Sequence, residues 1–188
     1  MLAKLAEVLA KRQEPTPSDS KKNRGAVAIL IKEESDDLWL LMIRRRENPK
    51  DPWSGQMGFP GGRADLRDRT LFDTVARETT EEVGINVRSH KFLGCLRNVQ
   101  PKNVPMIVSP FVFLAVDKVN PVTSSEAVET LWVPLSFLLD PKNVSSFTLA
   151  VRHREVAMGR YKYSNRIIWG MSFRIIQEVL KMLPSLER

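Results

Sequence analysis

Leu2, Leu5, Val8 and Leu9 recur at helical spacing, which predicts a short amphipathic helix over residues 2–12. It reads as a helix docked on the body of the protein or on a partner rather than as a membrane anchor. Glu14 to Asn23, rich in Pro, Ser and Lys, breaks the pattern and reads as a linker. Gly25 to Ile31 is a continuous apolar, β-prone run, predicted as a buried strand. Glu33 to Asp37 supplies a polar turn, and Leu38 to Ile43 returns as the next strand. Further on, Phe72, Ala76, Thr79 and Val83 form one apolar stripe of a helix, Thr70-x-x-Asp73 reads as its capping box with Asp68 as a competing cap, and Gly84 as its stop.

Strands are predicted at Phe92 to Val99 and Met106 to Val116, with an irregularity or an edge at Ser109-Pro110. Ser124 to Glu129 reads as a polar loop, Leu131 to Leu135 as a strand and turn, and Phe137 to Leu139 as a helical turn. Phe147 to Val151 and Tyr161 to Trp169 are expected to form a hairpin around Gly159, with Tyr161, Tyr163 and Trp169 in the core. Met171 to Leu183 is a strongly amphipathic closing helix. Strands alternating with two substantial helices predict an α/β/α sandwich around a mixed sheet. The expected organisation is an N-terminal helix and linker over 1–23 and a single domain over 24–188.

At 188 residues, 43% hydrophobic and 27% charged, the composition is that of a globular protein with a real core. Cys95 is the only cysteine, so no internal disulfide forms, and it reads as a small buried hydrophobe. With His90 and His153 the only histidines, a His/Cys zinc site is not expected. No apolar run reaches the ~18 residues of a membrane helix. Lys4, Glu7, Lys11 and Arg12 interrupt a signal-peptide layout and the last four residues carry no peroxisomal address, so the expected location is the cytoplasm. A net charge of +7 favours anionic ligands. A homodimer is compatible with the composition.

The chemistry concentrates between Phe59 and Ile85. On a helix, Glu78, Glu81 and Glu82 fall within about a third of the circumference. Like charges so close repel, and a hard divalent cation turns the repulsion into coordination; a solvated acidic face is the alternative. Phe59-Pro60-Gly61-Gly62 just upstream lets the backbone turn sharply and approach a ligand. Arg77 is placed to pair with Glu81 at i,i+4. Arg44-Arg45-Arg46, with Lys50 soon after, ends the second strand, and Arg44 or a neighbour is a candidate for substrate phosphate. Trp53 is either a lid for an adenine-like ring or a packing plug.

Arg77-Glu78-Thr79-Thr80-Glu81-Glu82-Val83-Gly84-Ile85 resembles the R-E-U-x-E-E-x-G-U end of the Nudix box, where U is bulky and apolar, and Gly62 resembles its opening glycine. Asp68 stands where the box has Glu, the gap to Arg77 is one residue longer than usual, and Thr79 is a weak U. Leu40-Leu41 with Arg44, followed by Trp53 to Gly62, is similar to the segment ahead of the box in coenzyme A pyrophosphatase-like Nudix proteins, though the loop from Arg45 to Pro52 is longer.

The resemblance implies a Nudix fold and hydrolysis of a nucleoside-linked diphosphate, coenzyme A or acyl-CoA first. Mg²⁺ or Mn²⁺ would sit on Glu78, Glu81 and Glu82 with a backbone carbonyl near Gly61 or Gly62. A late-loop carboxylate, Glu126 or Glu129, would complete the metal site or serve as base, with Glu78 the other candidate base. Arg44, Arg63 and Arg77 are candidate aids to the substrate, Arg77 also as a structural partner of the helix carboxylates. ADP-ribose and NADH remain alternative substrates. A non-catalytic nucleotide- or RNA-binding module is the other class of reading; the retained R-E-x-x-E-E and the lack of RNP-type aromatic motifs argue against it.

Overall fold

A computed structural model of the chain describes residues 1–12, 23–49, 54–101, 104–116, 118–151 and 154–183. The expectations for the linker, Lys50, Trp53, His153 and the last residues therefore lie wholly or mostly outside the described residues.

The centre is a seven-stranded mixed sheet. Strand β1 (Arg24–Glu34) is apolar on both faces and pairs antiparallel with β2 (Asp37–Arg45) through the turn at Ser35 and Asp36, both at positive φ. Two short strands, β3 (Met57–Gly58) and β4 (Gly61–Arg63), pair with β2 and β1 respectively. Strand β5 (Lys91–Cys95) pairs antiparallel with β6 (Ile107–Leu114), which lies parallel to β1. Strand β7 (Ala127–Pro134) pairs with the outer side of β2.

Helix α2 (Leu71–Val83) covers one face. Its Val75, Ala76 and Val83 pack with Ala26, Ala28, Leu30, Leu41, Ile43, Phe111 and Phe113. The opposite face carries Val27, Ile29, Ile31, Leu40 and Met42, covered by α1 (Leu2–Ala10), α3 (Leu135–Leu139) and α4 (Gly170–Met182). This is the predicted sandwich, because strands buried on both faces need a helical layer on each side. Leu5 and Leu9 of α1 are fully buried in the same cluster as Ile29, so this helix docks on the body of the protein.

The expected capping box starts α2, and Thr70 rather than the competing Asp68 is its cap: the Thr70 side chain accepts from the Asp73 amide while Asp73 accepts from the Thr70 amide. Other local expectations change. Pro110 lies in central strand β6 rather than at an edge. The Leu96 amide donates to its carbonyl at 3.0 Å, so its missing N–H faces the stretch between Cys95 and the isolated Val99–Val108 bridge, where β5 has already ended. The irregularity is therefore real and the edge is not.

Gly159 is not a turn. It sits inside β9 (Arg154–Tyr163), opposite Ser146 of β8 (Val144–Val151), in a separate three-stranded sheet completed by β10 (Arg166–Trp169). A Cβ there would meet the Phe173 ring at 2.5 Å, so glycine makes room for an aromatic of α4. The β9–β10 turn is made by Ser164 and Asn165, both at positive φ as in type I′ hairpins.

Glu129 is also moved. It belongs to β7, opposite Arg44, and not to a loop. Between Arg44↔Glu129 and Arg45↔Ala127 the register shifts, leaving Val128 as the extra residue of a β-bulge. No helix among the described residues is long and apolar enough to cross a membrane.

Candidate active site at the double-glycine bend

Helix α2 crosses its face of the sheet beside β4, and this crossing assembles the site. Gly61 takes φ 141°, and a Cβ on it would meet the Ala26 carbonyl at 2.2 Å; only glycine lets the backbone lie this close to β1. Its amide then donates to Glu82 Oε2 at 2.7 Å. Gly62 faces α2, and a Cβ there would fall 2.3 Å from Glu78 Oε2. Both glycines thus exist to admit carboxylates or backbone, as the Pro-Gly-Gly run suggests. The Gly62 carbonyl itself is turned toward Gly25, where an added Cβ would meet it at 2.6 Å.

Glu82 is 2% exposed and takes a second hydrogen bond from Arg45 Nη1 at 3.2 Å. Burial pushes its carboxyl up to about 7, against the pull of the Gly61 amide and Arg45; the charges of Glu78 and Glu126 push the same way as burial. Glu78, also largely buried, is raised by burial despite Arg77, with Glu81 and Glu126 adding to the rise. Glu81 differs: its side chain is 59% exposed. Arg77 Nη1 bridges it to Glu78, donating to Glu78 Oε1 at 2.8 Å and Glu81 Oε2 at 3.0 Å.

Arg77 is anchored from behind by Asp68. Its Nε and Nη2 donate to the two Asp68 oxygens at 3.1 and 2.9 Å, and Nη2 also reaches the Arg63 carbonyl at 3.1 Å. Asp68 further accepts from the Asp65 amide and from Thr74 Oγ1, both at 2.9 Å. Burial opposes its ionisation, but these donors outweigh burial and hold the carboxyl below its ordinary value. The shorter acid is thus the hub that positions Arg77. Arg63 offers this carbonyl while its side chain is exposed.

Arg44 and Arg45 point to opposite faces. Arg45 follows Leu41 and Ile43 onto the α2 face, whereas Arg44 follows Leu40 and Met42. Arg44 Nε donates to Glu129 Oε2 at 3.1 Å, and Arg166 binds the same carboxylate through Nε and Nη2. Arg166, first of all, and then Arg44 hold the Glu129 carboxyl below its usual range. The structure therefore brings Glu78, Glu82, Gly61, Gly62 and Arg77 together, with Glu81 at the rim. Glu126 is exposed in the loop ahead of β7, close enough for its charge to be felt by both buried glutamates. Glu129 and Arg44 form a separate node. Arg45, within the basic run singled out in the sequence, is the arginine that reaches a helix carboxylate; with both faces of β2 apolar, only the fold shows which of the run faces α2.

Among the described residues no three His, Cys, Asp or Glu side chains stand gathered as a ready ion cage. The donor set nevertheless fits a hard divalent cation. Burial disfavours the charged form of two adjacent carboxyls, a cost that a cation would offset, and the charge now bridging Glu78 and Glu81 is a guanidinium.

The sequence profile of the NUDIX domain matches residues 22–152, and the chain belongs to this family of hydrolases. It is 29% identical over 175 residues to the Nudix hydrolase NudL of Yersinia enterocolitica, covering 91% of this chain and 88% of that protein. It is 25% identical over 201 residues to Nudix hydrolase 3 of Caenorhabditis elegans, covering 97% and 82%. Among solved structures, a MutT/nudix family protein from Enterococcus faecalis superposes with TM-score 0.57 at 19% identity, covering 95% of this chain and 68% of that one. A C. elegans Ap4A hydrolase complex superposes with TM-score 0.52 at 17% identity, over 62% and 82%. These two likenesses confirm the fold. Nudix hydrolases use divalent metal ions, in keeping with the donor set here.

Proposed function

We propose that this chain is a metal-dependent pyrophosphohydrolase that cleaves a diphosphate attached to a nucleoside. The observation that carries the reading is the buried pair Glu78 and Glu82 pressed against Gly61 and Gly62. Glu78 and Glu82, with Glu81 at the rim, would hold Mg²⁺ or Mn²⁺, which supplies Lewis acidity toward the diphosphate and the attacking water. The Gly61 amide and Arg45 fix both oxygens of Glu82, and Arg77 orients Glu78 and Glu81. Asp68 keeps Arg77 in place, so the guanidinium steers carboxylates rather than wandering to solvent.

Water attacks one phosphorus, the bridging P–O bond breaks, and a carboxylate oxygen takes the water's proton. Two phosphate monoesters leave. Glu126 suits the proton-accepting part, being exposed beside the buried pair and, among the described residues, forming no ion pair. Glu129 suits it poorly, since two arginines hold its charge. Coenzyme A or an acyl-CoA is the proposed substrate, giving a phosphopantetheine and adenosine 3′,5′-bisphosphate. The support is the likeness of Leu40 to Arg44 and Trp53 to Gly62 to that branch, and the net charge of +7. ADP-ribose and NADH are the competing diphosphates.

A panel of coenzyme A, ADP-ribose, NADH and dinucleoside polyphosphates, incubated with Mg²⁺ or Mn²⁺ and read by mass spectrometry, tests both bond and substrate. Glu82→Gln should lose turnover, and near-wild-type turnover in that variant would exclude the role assigned here. Steeply salt-dependent RNA binding without cleavage of any diphosphate would favour a binding module instead.

A further inference from the structure

Arg24 opens β1 at 8% exposure, yet among the described residues its buried Nε and Nη2 have no hydrogen-bond partner. A guanidinium stays charged and carries five donors. Left unpaired in an interior, such a group is costly, which is why buried charges are ordinarily paired.

The register fixes where it stands. Ala26, Ala28 and Leu30 face α2, so strand alternation puts Arg24 on that face too. Ala26 pairs with Gly62, the residue under Glu78. Arg24 therefore lies two positions, roughly 7 Å, along the strand from the point beneath Glu78, a span that an extended arginine covers. On the adjoining strand β6, Ile107 pairs with Arg24 and Ser109 with Ala26. Buried Ser109 donates to Asn98 Oδ1 at 2.7 Å, which leaves the exposed Asn98 its Nδ2 donors. Ile107 is exposed as well, so solvent lies beside Arg24, whose own Nε and Nη2 are covered. Nearby acids are committed elsewhere: Arg77 holds both Glu78 and Asp68. What remains at this corner, among the described residues, is a pair of guanidinium donors without an acceptor.

We propose that Arg24 is a phosphate-binding residue of the same site, its Nε and Nη2 taking non-bridging oxygens of the diphosphate that is hydrolysed beside Glu78 and Glu82. A planar fork matched to two oxygens is the chemistry this position offers. The inference rests on the hydrolase reading above. It adds a substrate contact that neither the box nor the basic run at Arg44 to Arg46 contains.

The test is calorimetric binding of adenosine 5′-(α,β-methylene)diphosphate, which resists hydrolysis, with Mg²⁺ present, to wild type and to Arg24→Met. Alongside it, the melting temperature is measured without ligand. Binding should weaken about tenfold or more, while the ligand-free melting temperature stays level or rises because an unpaired buried charge has been removed. A Kd within about twofold of wild type overturns the proposal. If Arg24→Met does not fold, Arg24→Gln is read in the same way. Turnover reports separately on the parent reading. An active wild type with unchanged binding in the variant removes Arg24 alone, whereas a wild type that neither binds nor cleaves removes both.

Discussion

Two carboxylate–arginine nodes, built from neighbouring residues of β2, have opposite electrostatic fates. On the α2 face, Arg45 and the Gly61 amide hold Glu82, yet its carboxyl is raised to about 7. On the other face, Arg44 and Arg166 hold Glu129, and its carboxyl is lowered. Both carboxylates are hydrogen-bonded by an arginine, so the arginine alone does not decide. Burial does: Glu82 is almost wholly withdrawn from water and shares its surroundings with Glu78 and Glu126, whereas Glu129 is 28% exposed between two guanidinia. The first node is short of positive charge and the second is satisfied. A site that needs a cation is recognised by that shortage.

The largest difference between the nodes should appear in activity. Glu82→Gln is expected to lower kcat/KM with Mg²⁺ by about 10² or more, and Glu129→Gln by only a few-fold. Equal losses in steady-state assays would erase the distinction. Gly62→Ala should come next, at about tenfold, because its Cβ claims the space of the Glu78 carboxylate. The displaced group is the end of a flexible side chain, so the denaturation midpoint should barely move.

The pH dependence of stability separates the nodes by sign. A carboxyl raised in the folded state favours the protonated form, so Glu82 destabilises the metal-free protein above its unfolded value of 4.5, fully so above about 7. In EDTA, acidifying from pH 8 to 5.5 should therefore stabilise wild type by about 2 kcal/mol, and Glu82→Gln should lack that gain in thermal melts. Glu129 runs the other way: its contribution is present above 4.5 and is lost as pH falls through its lowered value. The smallest effect is expected from Arg166→Met, a slight drop of the urea denaturation midpoint, since this pair is solvent-screened. A much larger loss would mean that the node fastens the three-stranded sheet to the main one.

Helix α2 and its acids were legible because several local signals agree there: a 3.6-residue apolar stripe, a capping box and a terminal glycine at positive φ. The choice between Arg44 and Arg45 was not legible. Both faces of β2 are apolar, so alternation carried no label until the register tied Leu41, Ile43 and Arg45 to α2. Glu129 was hidden for a related reason. β7 follows the polar Ser124 to Glu126 and carries Glu129 and Thr130 within it, so its strand character comes from pairing with β2 rather than from its own pattern. Gly159 misled because a glycine marks a close approach as readily as a bend, and the real reversal used Ser164 and Asn165. Arg24 adjoins an obvious strand, but its missing partner exists only in three dimensions.

Val128, the unmatched residue of β7, acts as a spacer. It lets Glu129 stay level with Arg44 while Ala127 still meets Arg45 and the Glu126 carbonyl receives the Arg46 amide at 2.8 Å. Removing that one residue would straighten the edge and drag the preceding loop by one peptide, roughly 3.3 Å. The exposed acid at 126 would then be carried out of step with the buried pair, although no atom of the pair had been altered.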